Sequence, residues 1–284
     1  MNVQEATKWI ENELTEFVEL AECAAISKTL ILHHFNEEPK NWFKIQYTAI
    51  PPEKIPIIDE QIKRLQQQEP LQYVINEAWF CNLNFNVNTS VLIPRPETEE
   101  LVEWVISHCR FPVQQLHLLD IGTGSGCIAI ALKRRMKAAT VWAIDKSTTA
   151  LATAKNNASR LGTSIELREI DIVDEAQWIN LPVFDFIISN PPYITHKEKI
   201  DMSKQVLAYE PTMALFAPDN DPLIFYKKIT LLYLQKRTKG AQLFFEINPD
   251  YAAEIAQLFR ERGIQSEIKK DIQEKNRMIR GWID

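Results

Sequence analysis

Glycine is scarce in this chain. Its 284 residues contain seven, and three of them fall within five positions, Gly122-Thr123-Gly124-Ser125-Gly126. The first seventy residues have none, which fits a small helical bundle. Cysteine is sparse too: Cys23, Cys81, Cys109 and Cys127 form no C-x-x-C pair, which excludes a disulfide framework and a spaced-thiolate metal centre and leaves cytosolic thiols filling core space. No apolar run approaches membrane-spanning length. Glu5, Lys8, Glu11 and Glu13 interrupt any apolar leader at the N-terminus. Positive charge is not in excess either: 32 Lys and Arg stand against 38 Asp and Glu, for a net charge of −6. That balance argues against affinity built on phosphate neutralisation. The expectation is a soluble cytoplasmic protein, a monomer, with no membrane partner and no direct DNA binding.

Apolar material is ample, at 45% of residues, and the length suits two domains. Trp9, Ile10, Leu14, Phe17, Val18 and Ala21 recur at helical spacing, and Leu30, Ile31, His34 and Phe35 continue the pattern. Pro39, Pro51-Pro52 and Pro56 punctuate the helices. His33-His34 has no third ligand nearby and reads as helix surface. From about residue 71 the period changes. Trp79, Cys81, Leu83, Phe85 and Val87 alternate with other residues, as in a half-buried hairpin. The expected division is therefore residues 1–72 helical, 73–92 a β-hairpin linker and 93–284 a second domain.

That second domain opens on Pro94-Arg95-Pro96-Glu97-Thr98-Glu99, an extended segment from which Thr98 or Glu97 can start a helix. Arg95, read alone, pairs with a nearby glutamate. Strands and helices then alternate: strand 116–121, helix 127–136, strand 141–144, helix 148–161, strands 165–167 and 186–189, helix 223–235 and strand 243–247. This is the pattern of an α/β fold with a mostly parallel sheet. Two closing strands, 264–269 and 278–283, are joined by a short polar link and read as an antiparallel edge. Lys133-Arg134-Arg135 with Lys137 falls at a helix end, where cations favour the dipole.

Four features follow the strands in order. Gly122-Thr123-Gly124-Ser125-Gly126 follows the first, and its glycines let a ligand approach the backbone. Cys127 stands where the dinucleotide fingerprint needs a glycine, so the spacing disfavours a dehydrogenase. Asp145 closes the second strand, placed to accept hydrogen bonds from a ribose diol. Asp171, followed by Ile172, lies beyond the third, where a carboxylate can meet an adenine amino group. Asn190-Pro191-Pro192-Tyr193 ends the fourth: two prolines forbid both further pairing and an immediate helix. An Asn offers an acceptor and a donor together, suited to a planar, amide-like nitrogen. Singly, Asp145 and Asp171 read as surface or capping carboxylates and residues 190–193 as a proline-stopped strand with a turn asparagine, whereas chance clustering explains the glycine loop poorly. Together they would line one sheet edge.

Residues 122–126, Asp145 and residues 190–193 in that order resemble a class I S-adenosylmethionine-dependent methyltransferase with a Rossmann-like sheet. The segment Leu92-Ile93-Pro94-Arg95-Pro96-Glu97-Thr98-Glu99 narrows the resemblance to the release factor glutamine methyltransferases of HemK/PrmC type. Tyr73, Phe80, Glu210-Pro211, Ala214-Leu215 and Glu246-Ile247 extend it over the whole chain. The resemblance implies S-adenosyl-L-methionine held by Gly122, Thr123, Gly124, Ser125, Gly126, Asp145, Asp171, Ile172 and Asn190. It implies catalysis by Asn190, Pro191, Pro192 and Tyr193 on the glutamine of the Gly-Gly-Gln tripeptide of class I peptide-chain release factors, with the helical domain recognising that partner. Asn248, Pro222 and Asn76 depart from the family pattern where it has glycine, and Ile172 where some members have an aromatic residue. The rival readings are an N6-adenine or N4-cytosine DNA methyltransferase, which shares Asn-Pro-Pro-Tyr chemistry, and a cofactor-binding module without activity.

Overall fold

The computed structural model describes residues 1–109 and 116–284, without the side chain of Asp201. Contacts gather the chain into two units, Met1–Glu77 with Lys204–Tyr209, and Ala78–Ser203 with Glu210–Asp284.

The first unit is helical: α1 (Val3–Leu14), α2 (Leu20–Phe35), α3 (Trp42–Ile45), α4 (Ile55–Gln66) and α5 (Leu71–Ile75). Asn2 starts α1 through a capping box, its side chain accepting from the Glu5 amide at 2.9 Å while the Glu5 carboxylate accepts from the Asn2 amide. Val3, Ala6, Ile10 and Leu14 then recur on one buried face, against Leu30 and Ile31 of α2 and Ile58, Ile62 and Leu65 of α4. Asn76 ends α5 at φ 55°, the left-handed geometry a C-terminal cap needs and asparagine tolerates. The two histidines are both engaged by side chains: His34 Nε2 lies 2.6 Å from Gln61 Oε1 and His33 Nδ1 3.3 Å from Glu77.

The hairpin consists of β1 (Glu77–Phe80) and β2 (Leu83–Asn86). Its buried residues are Ala78, Phe80, Phe85 and Val87, whereas Trp79 is 55% exposed. The expected alternation from Trp79 is thus out of phase in the first strand. Cys81 and Asn82 both have positive φ (48° and 60°), as a two-residue hairpin turn requires. Such a turn switches the inward face from even to odd residue numbers, which a single running alternation cannot follow.

Next come α6 (Pro96–His108), β3 (His117–Ile121), α7 (Cys127–Arg135), β4 (Thr140–Asp145), α8 (Thr148–Arg160), β5 (Glu166–Glu169) and β6 (Phe184–Ser189). The helix α9 (Lys204–Tyr209) belongs with the first unit, where the Tyr209 hydroxyl donates to the Gln67 carbonyl at 2.9 Å. The second unit resumes with α10 (Thr212–Leu215), α11 (Ile224–Lys236), β7 (Arg237–Glu246), α12 (Ala252–Arg260), β8 (Gln265–Lys270) and β9 (Asn276–Trp282). Helix α6 starts at Pro96, not at Thr98 or Glu97. A proline loses nothing at a first helical position, where its missing N–H would be unpaired anyway.

The sheet has the order β5-β4-β3-β6-β7-β9-β8, parallel from β5 to β7 and antiparallel at β9 and β8. Successive strand residues face opposite layers. Leu119, Ile121, Ile187, Leu243 and Phe245 pack with α11 and α12, while Leu118, Phe186, Ile188 and Phe244 pack with α6 and α7. Each fully buried Ile, Leu or Phe contributes about 1.5–3 kcal/mol, so the centre of the sheet is a rigid platform for the loops at its edge. Strand β7 begins six residues before the expected 243, because its first four residues, Arg237-Thr238-Lys239-Gly240, are polar and carry no apolar signal.

The basic run at the end of α7 is occupied structurally. Lys133 donates to the carbonyls of Lys137 and Ala139 (3.0 and 2.6 Å), and Arg135 pairs with Glu103 at 2.7 Å. All four thiols are free, and burial pushes those of Cys81 and Cys127 up to about 12. Among the described residues no helix is long and apolar enough to cross a membrane.

Candidate active site

Strand register assembles the site. Ile121 lies opposite both Ile144 of β4 and Ser189 of β6, and Ser189 lies opposite Phe245 of β7. One step further along each strand stand Gly122, Asp145, Asn190 and Glu246, all at the carboxyl edge of the sheet. The chain moves from β3 outward to β4 and β5, then returns to β6 on the other side of β3. This reversal of strand order opens a crevice where α/β folds bind ligands.

A cleft of about 120 Å³ occupies this edge, some ten times the ~10–15 Å³ that one water needs. Gly122, Gly124, Asp145, Asp171, Ile172, Asn190, Pro191 and Pro192 of the expected set line it. Thr123, Ser125 and Gly126 are buried behind the surface instead, and Tyr193, partly buried, stands outside the lining. The Thr123 hydroxyl donates to Asp120 at 2.6 Å, the Ser125 carbonyl accepts from Asn157 at 2.9 Å, and Gly126 caps α7 at φ 81°. A Cβ on Gly126 would meet Ala154 Cβ at 3.1 Å, whereas at Gly122 and Gly124 it would meet nothing within 4 Å. The first two glycines leave room for a ligand, and the third permits close helix packing.

Asp145 works in both directions. Its Oδ2 accepts from the Gly124 amide and its Oδ1 from the Ser147 amide, each at 2.9 Å, and burial raises its pKa above the ordinary aspartate value, opposed by these two amides. The carboxylate thus pins the glycine loop while keeping lone pairs toward the cleft. Asp171 Oδ1 accepts from the Val173 amide at 2.9 Å. Ile170, Phe225 and Ile229 form an apolar wall with Ile172, so an aromatic residue does reach the cleft, from α11. Phe225 escaped the sequence reading because it sits in an ordinary helical pattern.

Asn190 Nδ2 donates to Thr98 Oγ1 at 3.2 Å, and Thr98 donates to Glu246 Oε2 at 2.7 Å. The Tyr193 hydroxyl donates to the other Glu246 oxygen at 3.2 Å. Thr98 and Glu246 are 3% and 2% exposed, and burial pushes the Glu246 carboxyl up, opposed by the hydroxyl of Thr98 and the charge of Arg277. Burial, followed by the charge of Glu246, likewise raises Tyr193 above the ordinary phenol range. The Arg95 guanidinium pairs with buried Glu210, which also accepts from the Ile93 amide at 3.4 Å. Asn248, in a family glycine position, donates to Glu198 at 2.8 Å and accepts from the Asp250 amide at 3.0 Å. Asn157 is wholly buried. It accepts from the Asn86 amide at 2.7 Å and donates to the Asn86 and Ser125 carbonyls, both at 2.9 Å, so that it joins hairpin to glycine loop.

Beneath the loop, burial pushes the Asp120 carboxyl up from 3.8 to about 7, with Thr123 pulling the other way. Between those values the unfolded chain has lost this proton and the folded chain keeps it, so stability falls as pH rises from about 4 to 7. Asp120→Asn lacks that term. The stability of the native chain relative to the variant is expected to fall by roughly 2–4 kcal/mol over this window. Denaturant melts at pH 4 and pH 7 test this, and an unchanged difference between the two proteins rules it out.

The methyltransferase small domain family matches residues 100–215. The solved structure of the human methyltransferase 10 domain containing protein shares the fold. It is 19% identical, with a TM-score of 0.52, covering 71% of this chain and 88% of that one. That likeness shows the fold, and the family match names a methyltransferase domain over residues 100–215. The release factor glutamine methyltransferase of Flavobacterium psychrophilum is 46% identical over 76% of each chain, and that of Bacteroides thetaiotaomicron is 42% identical over 78% of this chain and 79% of its own. The chain belongs to the release factor glutamine methyltransferase family.

Proposed function

We propose that this enzyme transfers a methyl group from S-adenosyl-L-methionine to the side-chain amide nitrogen of the glutamine in the Gly-Gly-Gln tripeptide of class I peptide-chain release factors. The observation that carries this reading is the placement of Asn190 beside Asp145 and the glycine loop on one cleft, in a chain whose relatives bear that enzyme's name. The cleft suits the cofactor: bare glycines at Gly122 and Gly124, an acceptor at Asp145 for a ribose diol, and an apolar wall of Ile170, Ile172 and Phe225 beside Asp171 for a purine. When bound, the cofactor supplies an electrophilic methyl group on a sulfonium.

The residues of the chain supply position. An amide nitrogen is a poor nucleophile because its lone pair is delocalised into its carbonyl. Asn190 Oδ1 and the Pro191 carbonyl accept its two hydrogens, which orients the nitrogen and places negative potential where positive charge develops. The two prolines stiffen the loop that carries these acceptors. As the nitrogen–carbon bond forms, the electron pair of the broken carbon–sulfur bond stays on sulfur, and one of the two amide protons then passes to water.

Residues 1–72 are proposed as the partner-recognition domain, 73–92 as the linker and 93–284 as the catalytic domain. The deciding experiment offers labelled cofactor with release factor, with a glutamine-to-alanine variant of its tripeptide, and with DNA. Label on the release factor that disappears with the variant is expected. Label on DNA alone would move the activity to a nucleobase.

A further inference from the structure

Asparagine is ambidextrous: its oxygen and its NH2 group have nearly the same shape, and only hydrogen bonding decides which faces a ligand. If Asn190 is to accept hydrogens from a substrate amide, its oxygen must face the cleft. The structure shows what imposes that choice.

Glu246 is buried at the end of β7, with one hydroxyl on each oxygen, Thr98 at 2.7 Å and Tyr193 at 3.2 Å. Arg277 adds a favourable positive charge. Two hydroxyl donors and the charge of Arg277 oppose the burial that raises this carboxyl and favour its ionised form, which can only accept. A threonine hydroxyl has one proton, and that of Thr98 is committed to Glu246. Toward Asn190 the Thr98 oxygen therefore has only lone pairs to offer. Asn190 must turn its NH2 to Thr98, as observed at 3.2 Å, and its oxygen away. We infer that Thr98, polarised by Glu246, is a positioning residue that sets the orientation of the Asn190 amide. This rests on the role assigned to Asn190 above. Thr98 itself does not line the cleft. The second oxygen of Glu246 fixes the Tyr193 hydroxyl, so one buried carboxylate orients both ends of the Asn-Pro-Pro-Tyr segment.

Three variants of the full chain test the inference. Thr98→Ser keeps the single-proton hydroxyl and is expected to retain kcat within a few-fold. Thr98→Val removes the acceptor facing Asn190, and Glu246→Gln brings an NH2 that can donate to Thr98 and free its proton for Asn190. Both are expected to lower kcat about a hundredfold, the scale of one lost transition-state hydrogen bond, with the cofactor dissociation constant unchanged. In an Asn190→Asp background both side-chain oxygens accept, there is no orientation to choose, and adding Thr98→Val costs little more.

A second readout needs no substrate. In the native chain the Asn190 side-chain NH2 protons should show nuclear Overhauser contacts to the Thr98 side chain, and in Glu246→Gln these should disappear. Contacts that persist there, a Thr98→Val enzyme with native kcat, or a Thr98→Ser enzyme as impaired as Thr98→Val would each overturn the inference. If the contacts behave as stated but the native enzyme transfers nothing to release factor, the orientation stands and the substrate assignment falls.

Discussion

Asn190→Ala is expected to slow methyl transfer at least about a thousandfold while leaving the protein folded and able to bind its cofactor. Asn190 stands one residue past the end of β6, and its side chain donates to Thr98 at 3.2 Å. Thr98 keeps its stronger bond to Glu246 at 2.7 Å when that donor is gone, so the structural cost is about that of one neutral hydrogen bond, ~1 kcal/mol. The catalytic cost is larger because two effects vanish together. One is the acceptor that raises negative potential at the nitrogen, worth about 10²–10³ in rate by analogy with a single oxyanion-hole donor. The other is orientation of the planar amide for in-line attack. Single-turnover transfer to release factor at saturating cofactor measures the loss, with a thermal melt and cofactor titration as controls. A variant retaining a tenth of the native rate would remove Asn190 from the chemistry.

Asp145→Ala should act on binding rather than on the chemical step. The carboxylate holds the amides of Gly124 and Ser147, each at 2.9 Å. Ser147 in turn caps α8, its hydroxyl accepting from the Ala150 amide at 3.2 Å. Truncation therefore removes an acceptor for the ribose and loosens the loop on which the cofactor rests. Bonds to charged acceptors are worth about 1.5–3 kcal/mol, which corresponds to a ten- to hundredfold weaker cofactor dissociation constant. At saturating cofactor kcat should stay within a few-fold of native. Asp145→Asn, with one oxygen left to accept, should fall between the two. Isothermal titration provides the constant, and an Asp145→Ala protein that binds as tightly as the native one would leave the carboxylate with only its loop-pinning role.

The sheet was legible in the sequence because its central strands are short, apolar and separated by turn residues. Periodicity located β3, β4 and β6 to within two residues at either end. It missed the first half of β7, where polar residues pair just as well as apolar ones, and it put Trp79 on the buried face because parity changes across a two-residue turn. The residues lining the cleft were legible where the chain makes an unusual local choice: clustered glycines, an acid closing a strand, two prolines after an asparagine. What stayed hidden was the support behind them. Thr98 looked like a helix start and Glu246 like the end of a strand, since the bond joining them spans 148 positions and forms only because α6 packs against β7 through Trp104 and Phe244. Phe225 was hidden for a related reason, because a helical pattern does not say which residue of a buried face looks into a crevice.

Asn157 has a further consequence, for the company the protein keeps. A two-stranded hairpin ends in a strand whose outward amide and carbonyl invite another chain to pair. At Asn86 that invitation is already answered. The carboxamide of Asn157 returns one bond to the amide and one to the carbonyl, the pair of bonds a neighbouring peptide group would make. A single side chain thus impersonates a third strand one residue long. It closes the border of the hairpin at Asn86 against recruitment of a foreign strand, and it does so without adding a backbone segment to the fold.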